Sequence, residues 1–265
     1  MPSVEALYRY PVKGFTPEAV GQFTVQPDGR VCGDRVLAFR FADAATAQDQ
    51  DGLDYWPKSG GLSLQDFPAL AALSLTFDQE ALRVIISHEG NVLVDAGLDG
   101  AGRDRLVSAV TEFVMATPEA KRLRRPGRLP LVLVGDGYTS RFQDRARGFV
   151  SVHSAASVAR LAHAMDAEVE GLRFRSNIVV SGVPPEAELE WSGVVRIGNV
   201  MFRPEGPIVR CLATHANPAT GVRDLRVLNA LTQQLGQVEP TLGRLLLPIE
   251  SGGVIRVGDE ISQPI

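Results

Sequence analysis

Cysteine is scarce in this chain, which has only Cys32 and Cys211 among its 265 residues. Two cysteines can form at most one disulfide, so the sequence excludes a disulfide-built scaffold and suits a reducing compartment. Long apolar runs are missing too, and no stretch could span a bilayer. The first residues lack the charged and then apolar pattern of a secretory signal. We therefore expect a soluble globular protein of the cytoplasm.

A strong charge of one sign is also absent, since the formal net charge is -4 and the isoelectric point is about 5.6. Nucleic acids and membrane surfaces attract proteins that carry a concentrated basic field. We therefore expect neither as a partner, although a local basic pocket stays compatible with this composition. The 45% of hydrophobic residues in 265 positions can bury one large core or two modest ones.

Short β-type runs predominate and helices are few, which predicts an α+β protein that is mainly β. Each predicted strand combines β-branched or aromatic residues and is bounded by turn formers. The predicted strands are 4–10, 19–25, 35–41, 73–77, 82–87, 91–95, 131–134, 178–181, 194–197, 200–203, 245–249 and 254–257. Residues 43–61 and 136–147 are polar and without period, and we interpret both as long loops.

Helices are predicted where apolar residues recur at helical spacing. Residues 103–116 and 225–235 show this pattern, a third helix starts at Ser154, and a short one with Pro68 in its first turn covers 67–73. Residues 119–130 are basic and contain proline, which predicts an exposed charged connection in preference to an anion-steering segment.

Two short stretches combine cationic, amide and thiol groups. Arg173, Arg175 and Asn177 immediately precede a predicted buried strand, which is a placement that suits a bound anion. Arg210 stands directly before Cys211, and a neighbouring guanidinium favours the thiolate, the form that acts as nucleophile or metal ligand. The sequence therefore indicates a reactive sulfur near an anion site.

These stretches belong to an ordered set of motifs that resembles the MOSC proteins. The motifs are Tyr-Pro-Val-Lys-Gly at 10–14, Gly-Asp-Arg at 33–35, Arg-Phe-Arg-Ser-Asn-Ile at 173–178, Trp191, Ile-Gly at 197–198, Arg-Cys at 210–211, Asn-Pro-Ala-Thr-Gly at 217–221 and Val-Gly-Asp at 257–259. The resemblance implies a MOSC-type β-barrel domain with a smaller N-terminal β-barrel-like domain. We predict the N-terminal domain at 1–95 and the C-terminal MOSC domain at 96–265.

The resemblance further implies a molybdenum cofactor, Mo-molybdopterin, which is a tricyclic pterin with a phosphate and a dithiolene. In relatives that reduce N-hydroxylated compounds, one cysteine completes the coordination of molybdenum, and the matching residue here is Cys211. Cys211 is therefore the predicted catalytic residue and metal ligand, and a thiolate is a soft donor suited to such a metal. The alternative is a small buried hydrophobe. Cys32 has no such match, and we interpret it as structural.

Matches to the family motifs also assign the groups that would bind the cofactor. Arginine donates two hydrogen bonds to an oxyanion through its planar fork, and a helix start such as Ser154 offers a hydroxyl and free amides. The predicted cofactor-binding residues are Lys13, Arg35, Ser154, Arg175, Asn177 and Arg210. Simpler alternatives exist, since Arg35 could pair with Asp34 or Asp51, Lys13 could lie on the surface, and Ser154 could only cap its helix. Arg173 is expected to be structural, paired with Glu168 or Glu170.

Two of the four histidines invite a catalytic interpretation. His153 precedes Ser154, and His215 follows Cys211 by four positions. Because the unperturbed histidine pKa lies near physiological pH, either could relay protons. The sequence alone leaves both roles open.

The resemblance implies that the protein reduces small-molecule substrates that are N-hydroxylated compounds or N-oxides. No Schiff-base lysine domain or ferredoxin-type cysteine cluster is present in the sequence, so we expect no pyridoxal phosphate and a separate electron donor such as a ferredoxin-, flavin- or cytochrome b5-type reductase. Two alternatives stay open. Cys211 could carry a persulfide or anchor the cofactor for delivery without turnover, or the chain could keep the barrel and pocket without metal.

Overall fold

A computed structural model describes residues 1–44, 58–144 and 148–262 of the chain. Most of the regular structure in these ranges is strand, which confirms the predicted mainly β fold. The strands are β1 (Ser3–Arg9), β2 (Glu18–Val20), β3 (Gln22–Val25), β4 (Ala38–Arg40), β5 (Leu73–Asp78), β6 (Arg83–His88), β7 (Asn91–Gly97), β8 (Val132–Val134), β9 (Val150–Ser154), β10 (Ile178–Ser181), β11 (Val195–Ile197), β12 (Val200–Val209), β13 (Thr241–Pro248), β14 (Gly253–Arg256) and β15 (Ile261–Ser262).

Helices in the described ranges are short, apart from one near the middle of the chain. The α-helices are α1 (Gly100–Met115), α2 (Ala120–Leu123), α3 (Ala155–Met165), α4 (Ala187–Glu190) and α5 (Val227–Asn229). A π-helical turn, Ala230–Gln234, continues α5, and Gly236 follows it with φ 69°. Short 3-10 helices cover Ala42–Ala44, Lys58–Gly60, Pro68–Ala72, Gly171–Phe174 and Leu212–His215.

An eight-stranded sheet organises the molecule, in the order β15-β11-β12-β13-β9-β10-β1-β2. β9 and β10 run parallel, with Ile178 opposite Val152, while the other neighbouring pairs in this sheet are antiparallel. The parallel pair requires a crossover, and α3 lies within it. β1 joins the first residues of the chain to this sheet, with Leu7 opposite Ile178.

Three smaller sheets complete the β structure. β5, β6 and β7 form an antiparallel meander, β4 pairs with β8, and β14 pairs with β3. Alternation of buried and exposed residues along β5 shows that one face of the meander packs inward. That face covers α1, whose Leu106, Val110 and Val114 are buried.

Buried side chains form two main hydrophobic cores. The first core draws on residues 12–133 and includes Phe15, Phe39 and Leu106. The second core combines Val4, Leu7 and residues 23–31 with residues 150–261. Residues 23–31 of the second core interrupt the segment that builds the first, so the chain passes between the two cores more than once. The domain boundary between residues 95 and 96 stays a prediction.

Several predicted elements differ from the observed ones. β9 was not predicted, although Val150 and Val152 alternate with polar residues as a half-buried strand does. The prediction of an exposed connection over 119–130 is wrong in part, because Ala120–Leu123 is helical and Leu123 is fully buried. Most of the loop predicted at 43–61, and the end of the one at 136–147, lie outside the described residues.

None of the helices in the described ranges is both long and apolar enough to cross a membrane. The cytoplasmic location stays a prediction.

Candidate functional site

A cavity of about 690 Å³ brings together most of the residues predicted to form the site. Its walls come mainly from residues 13–14, 58–59, 63–65, 143–144, 149, 151, 173–175, 177, 208–211 and 213–214. Of the predicted residues, those that line the cavity are Lys13, Arg35, Arg175, Asn177, Arg210 and Cys211. The sequence analysis missed two charged residues of the lining, Lys58 and Asp144, because both fall in stretches interpreted as loops.

Two arginines are held against one buried tyrosine. The guanidinium carbon of Arg35 lies 4.8 Å from the centroid of the Tyr10 ring, and that of Arg175 lies 4.3 Å from it. Arg35 also pairs with Asp34 and donates to the Arg175 carbonyl oxygen at 3.3 Å. Both arginines have a left-handed backbone, with φ 54° and φ 52°, which side chains other than glycine rarely adopt. Such local strain is typical of binding sites.

Arg175 enters the cavity charged in spite of its burial. Burial lowers its pKa to about 10, and the nearby Arg35 acts in the same direction. One guanidinium nitrogen, Nη1, donates to the Phe15 carbonyl oxygen at 2.5 Å. Two close, partly buried cations with few acidic partners favour an anion in the space beside them.

Asn177 joins the strands around the cavity. Its amide nitrogen donates to the Tyr8 carbonyl oxygen at 3.2 Å and to Asp34 at 3.3 Å, and its oxygen accepts from the Ser151 hydroxyl at 2.9 Å. The residue is 1% exposed. Its observed contacts therefore hold β1, β9 and the Arg35 ion pair in place.

Cys211 is the N-cap residue of the 3-10 helix Leu212–His215, and it lines the cavity. The ammonium nitrogen of Lys58 is 3.6 Å from its Sγ atom, a distance that fits a hydrogen bond to sulfur. Burial opposes the charge of Lys58, but Asp144 and Cys211 outweigh it and raise the pKa of this lysine above its ordinary value. A cation from a distant part of the chain therefore faces the thiol.

The guanidinium group of Arg210 binds backbone carbonyl oxygens and does not pair with a carboxylate in the described structure. It donates to the Phe174 carbonyl oxygen at 2.7 Å and to the Leu242 carbonyl oxygen at 2.7 Å, and its carbon lies 5.3 Å from the centroid of the Phe174 ring. Burial lowers its pKa to about 9, so the group stays charged at neutral pH. Gly243, with φ 80°, makes room for it, because a Cβ atom there would lie 2.9 Å from the Nη2 atom of Arg210 and 2.4 Å from the Val152 carbonyl oxygen.

Lys13 is not a surface lysine, since it is 6% exposed. Its ammonium nitrogen pairs with Asp144 and donates to the Phe142 carbonyl oxygen at 2.8 Å. Burial lowers its pKa to about 8, although Asp144 acts in the opposite direction. Gly14, at φ 81°, turns the chain here, and a Cβ atom would stand 2.9 Å from the Leu62 carbonyl oxygen. The turn therefore directs Lys13 inward.

Ser154 lies outside the cavity. It is fully buried, its hydroxyl accepts the Ser157 amide at 2.9 Å, and its own amide donates to Glu188 at 3.2 Å. These are the contacts of a helix cap, which was the simpler of the two interpretations. The cofactor-binding role of Ser154 stays a prediction, and Ser154 is not among the residues that line the cavity. Cys32 also lies outside the lining.

Neither of the two candidate histidines lines the cavity. Burial, with a contribution from the charge of Arg210, lowers the pKa of His153 to about 3, so this ring is neutral at physiological pH. The Nε2 atom of His215 accepts the Leu228 amide at 3.3 Å, and burial together with three nearby arginines lowers its pKa. The geometry places both rings behind the cavity wall.

Arg173 supports the segment that carries Cys211. Its side chain, 1% exposed, pairs with Glu170 at 2.6 Å and with Asp224 at 2.8 Å, and it donates to the His215 carbonyl oxygen at 3.2 Å. The expected partner Glu170 is confirmed, while Asp224 was missed. Asn217 joins this network by donating to Asp224 at 2.8 Å. The network fixes the end of the 3-10 helix that follows the cysteine.

The C-terminal part of the chain matches a known domain family. Residues 140–262 match the MOSC domain. The chain is 26% identical to the human mitochondrial amidoxime-reducing component 1 in an alignment of 233 residues, which covers 73% of this chain and 66% of the human protein. It thus spans just under two thirds of that relative.

Other relatives match over shorter stretches. The mouse mitochondrial amidoxime-reducing component 1 is 33% identical over 42% of this chain and 35% of its own length. The molybdenum cofactor sulfurase of Drosophila grimshawi is 44% identical over 61 residues, which are 23% of this chain and 8% of that protein. The crystal structure of the YuaD protein from Bacillus subtilis aligns over 98% of this chain and 94% of its own, with 13% identity and a TM-score of 0.43. Of the relatives named here, the sulfurase is the one whose name refers to the molybdenum cofactor.

Proposed function

We propose, on the basis of the match between residues 140–262 and the MOSC domain, that the cavity binds a molybdenum cofactor with Cys211 as a ligand of the metal. We further propose that the loaded protein reduces N-hydroxylated or N-oxide substrates, with electrons from a separate donor protein. The observation that carries the proposal is the placement of the Cys211 thiol in a cavity wall that is otherwise rich in guanidinium and ammonium groups.

The chemistry of the cavity fits such a cofactor. Its volume of about 690 Å³ lies within the range of small-molecule sites. Among the described residues, no group of three histidine, cysteine or carboxylate side chains could hold a metal ion alone. A metal here would therefore need further ligands, which the dithiolene of the pterin supplies. The hydroxyl of Ser63, buried in the lining without a hydrogen-bond partner, offers one more polar contact.

When bound, the cofactor would supply two-electron redox chemistry at molybdenum. The protein side chains would bind and orient it. Cys211 would offer its thiolate to the metal, with the Lys58 ammonium group stabilising that charge at 3.6 Å. Arg35 and Arg175 would hold the anionic part, since their positions over Tyr10 leave little freedom to move. Arg210 would hold the cavity wall through its two carbonyl contacts.

The first test is metal and pterin analysis of protein expressed in a host that makes molybdenum cofactor. We expect near-stoichiometric molybdenum and fluorescent oxidised pterin in the wild type, and loss of molybdenum in Cys211→Ala. Cys32→Ala is the matched control, because this second free cysteine lies outside the cavity lining. Folded wild-type protein that contains neither molybdenum nor pterin, despite adequate molybdate, would contradict the proposal.

Turnover separates an enzyme from a carrier. The local similarity to molybdenum cofactor sulfurases favours the carrier as the second candidate, in which Cys211 anchors cofactor or holds a persulfide. We expect reduced methyl viologen to drive reduction of an amidoxime by the wild type and by Cys32→Ser, and not by Cys211→Ser. Full activity of Cys211→Ser would rule out the ligand role, whereas loaded protein without turnover would favour the carrier.

A further inference from the structure

One carboxylate stands among the cations that line the cavity. The two oxygens of Asp144 contact different lysines: Oδ1 pairs with Lys13, and Oδ2 lies 3.3 Å from the ammonium nitrogen of Lys58. The Asp144 side chain is 46% exposed, whereas that of Lys13 is only 8% exposed. The carboxylate therefore covers the lysines from the open side of the cavity.

The lysine pair relies on this carboxylate for its charge balance. Within the described residues, the other contacts of the two ammonium groups are the Phe142 carbonyl oxygen and the Cys211 sulfur. Buried ammonium groups require an anionic partner, because their desolvation is otherwise uncompensated. Burial raises the pKa of Asp144, but Lys13 and Lys58 outweigh it and pull the pKa below its ordinary value. Asp144 is thus an ionised counter-ion.

The two residues that precede Asp144 are held by contacts to the rest of the chain, while the Asp144 side chain is partly exposed. Phe142 is fully buried and its amide donates to the Arg35 carbonyl oxygen at 3.0 Å. Gln143 donates to the Asp34 carbonyl oxygen at 3.3 Å. A rotation of the Asp144 side chain toward solvent would therefore uncover both lysines without movement of the backbone.

We propose that Asp144 is an internal counter-ion: its carboxylate pairs with Lys13 and Lys58 until an oxyanion group of a ligand replaces it. A phosphate-type group carries more charge than a carboxylate and several acceptor oxygens, so it can contact both ammonium groups at once. A neutral ligand has no group that can replace Asp144. The residue thereby selects for ligands that bear a phosphate or a similar oxyanion, whether or not they also carry a metal.

The test measures binding of inorganic phosphate and pyrophosphate to metal-free protein by calorimetry at pH 6.5, where Lys13 is protonated. Removal of a partly exposed competing ion pair strengthens binding modestly, so Asp144→Asn should lower the dissociation constant roughly three- to tenfold. Glu205→Gln is the matched control: it removes the same charge from an ion pair with Arg203, at 3.0 Å, that lies outside the cavity. This control should bind phosphate like the wild type.

A double variant locates the effect. In Asp144→Asn/Lys58→Gln the gain in phosphate affinity should disappear, because one of the two ammonium groups is then missing. The proposal is overturned if Asp144→Asn binds phosphate no tighter than the wild type, or if the gain survives in the double variant. Since the measurement needs neither cofactor nor turnover, its result is independent of whether the chain binds molybdenum. Thermal unfolding of each variant checks that the fold is intact.

Discussion

At the residue scale, the group that faces the thiol is not its neighbour in the sequence. Arg210 precedes Cys211, but its hydrogen bonds go to the carbonyl oxygens of Phe174 and Leu242. Successive side chains of an extended chain point to opposite sides, so adjacent residues need not share a site. The cation nearest the sulfur in the described structure is Lys58, which is 153 positions away.

His153 should govern part of the acid stability. Its pKa is about 3 in the folded chain, because of burial and then the Arg210 charge, against about 6.5 when unfolded. The unfolded chain therefore binds an extra proton between these values, and this contribution to stability is present above pH 6.5 and is lost as the pH falls toward 3.

We expect His153→Gln to reduce the slope of unfolding free energy against pH by up to about 1.4 kcal/mol per pH unit below pH 6. Urea unfolding at several pH values between 4.5 and 7 measures this slope. His163→Gln, at an exposed position on α3, makes the same substitution away from the buried ring and is the matched control. Equal slopes in His153→Gln and the wild type would show that this ring does not titrate as inferred.

At the scale of elements, α1 depends on a cap that lies just outside the predicted helix. Asp99 precedes the first helical residue, and its Oδ1 atom accepts the Gly102 amide at 2.6 Å. An uncapped helix start leaves amide groups without acceptors. The predicted helix began at residue 103, one turn too late, because Gly100 and Gly102 are weak helix formers that the cap and the packing against β7 override.

Asp99→Ala should therefore lower the unfolding free energy by about 1 kcal/mol. Chemical denaturation followed by far-ultraviolet circular dichroism measures the change. Glu112→Ala, an exposed position near the other end of α1, serves as the control and should stay within about 0.5 kcal/mol of the wild type. An effect of Asp99→Ala no larger than that of the control would contradict the capping role.

At the scale of the whole molecule, the cavity lies where chain segments of both cores meet. β1 belongs to the sheet over the second core and ends at Arg9, four residues before Lys13, and Phe15 already packs in the first core. Contacts such as the one from Arg35 to the Arg175 carbonyl oxygen cross between distant parts of the chain. These connections should make the two cores unfold together.

Truncation of one side chain in each core tests whether the two cores unfold together. Leu106→Ala in the first core and Ile178→Ala in the second, both fully buried, should each lower the unfolding free energy by roughly 2–5 kcal/mol. Both should shift a single urea transition, with equal changes in hydrogen exchange for α1 and β10. Val92→Ala, 62% exposed, is the control. A separate early transition in Leu106→Ala would instead support two independent domains.

Sequence patterns were sufficient to predict the class of the fold, most strands and helices, and six of the residues that line the cavity. These depend on local signals, which are the alternation of apolar residues, turn formers, and motifs such as Arg-Phe-Arg-Ser-Asn and Arg-Cys. Tertiary structure alone decided that Lys58 and Asp144 belong to the site, that Ser154 does not line it, and that α1 packs with the first core. Lys58 and Asp144 lie in polar segments without a hydrophobic period, and such segments contain no local signal of their position in the fold. Only long-range packing brings their charges close to the thiol and to each other.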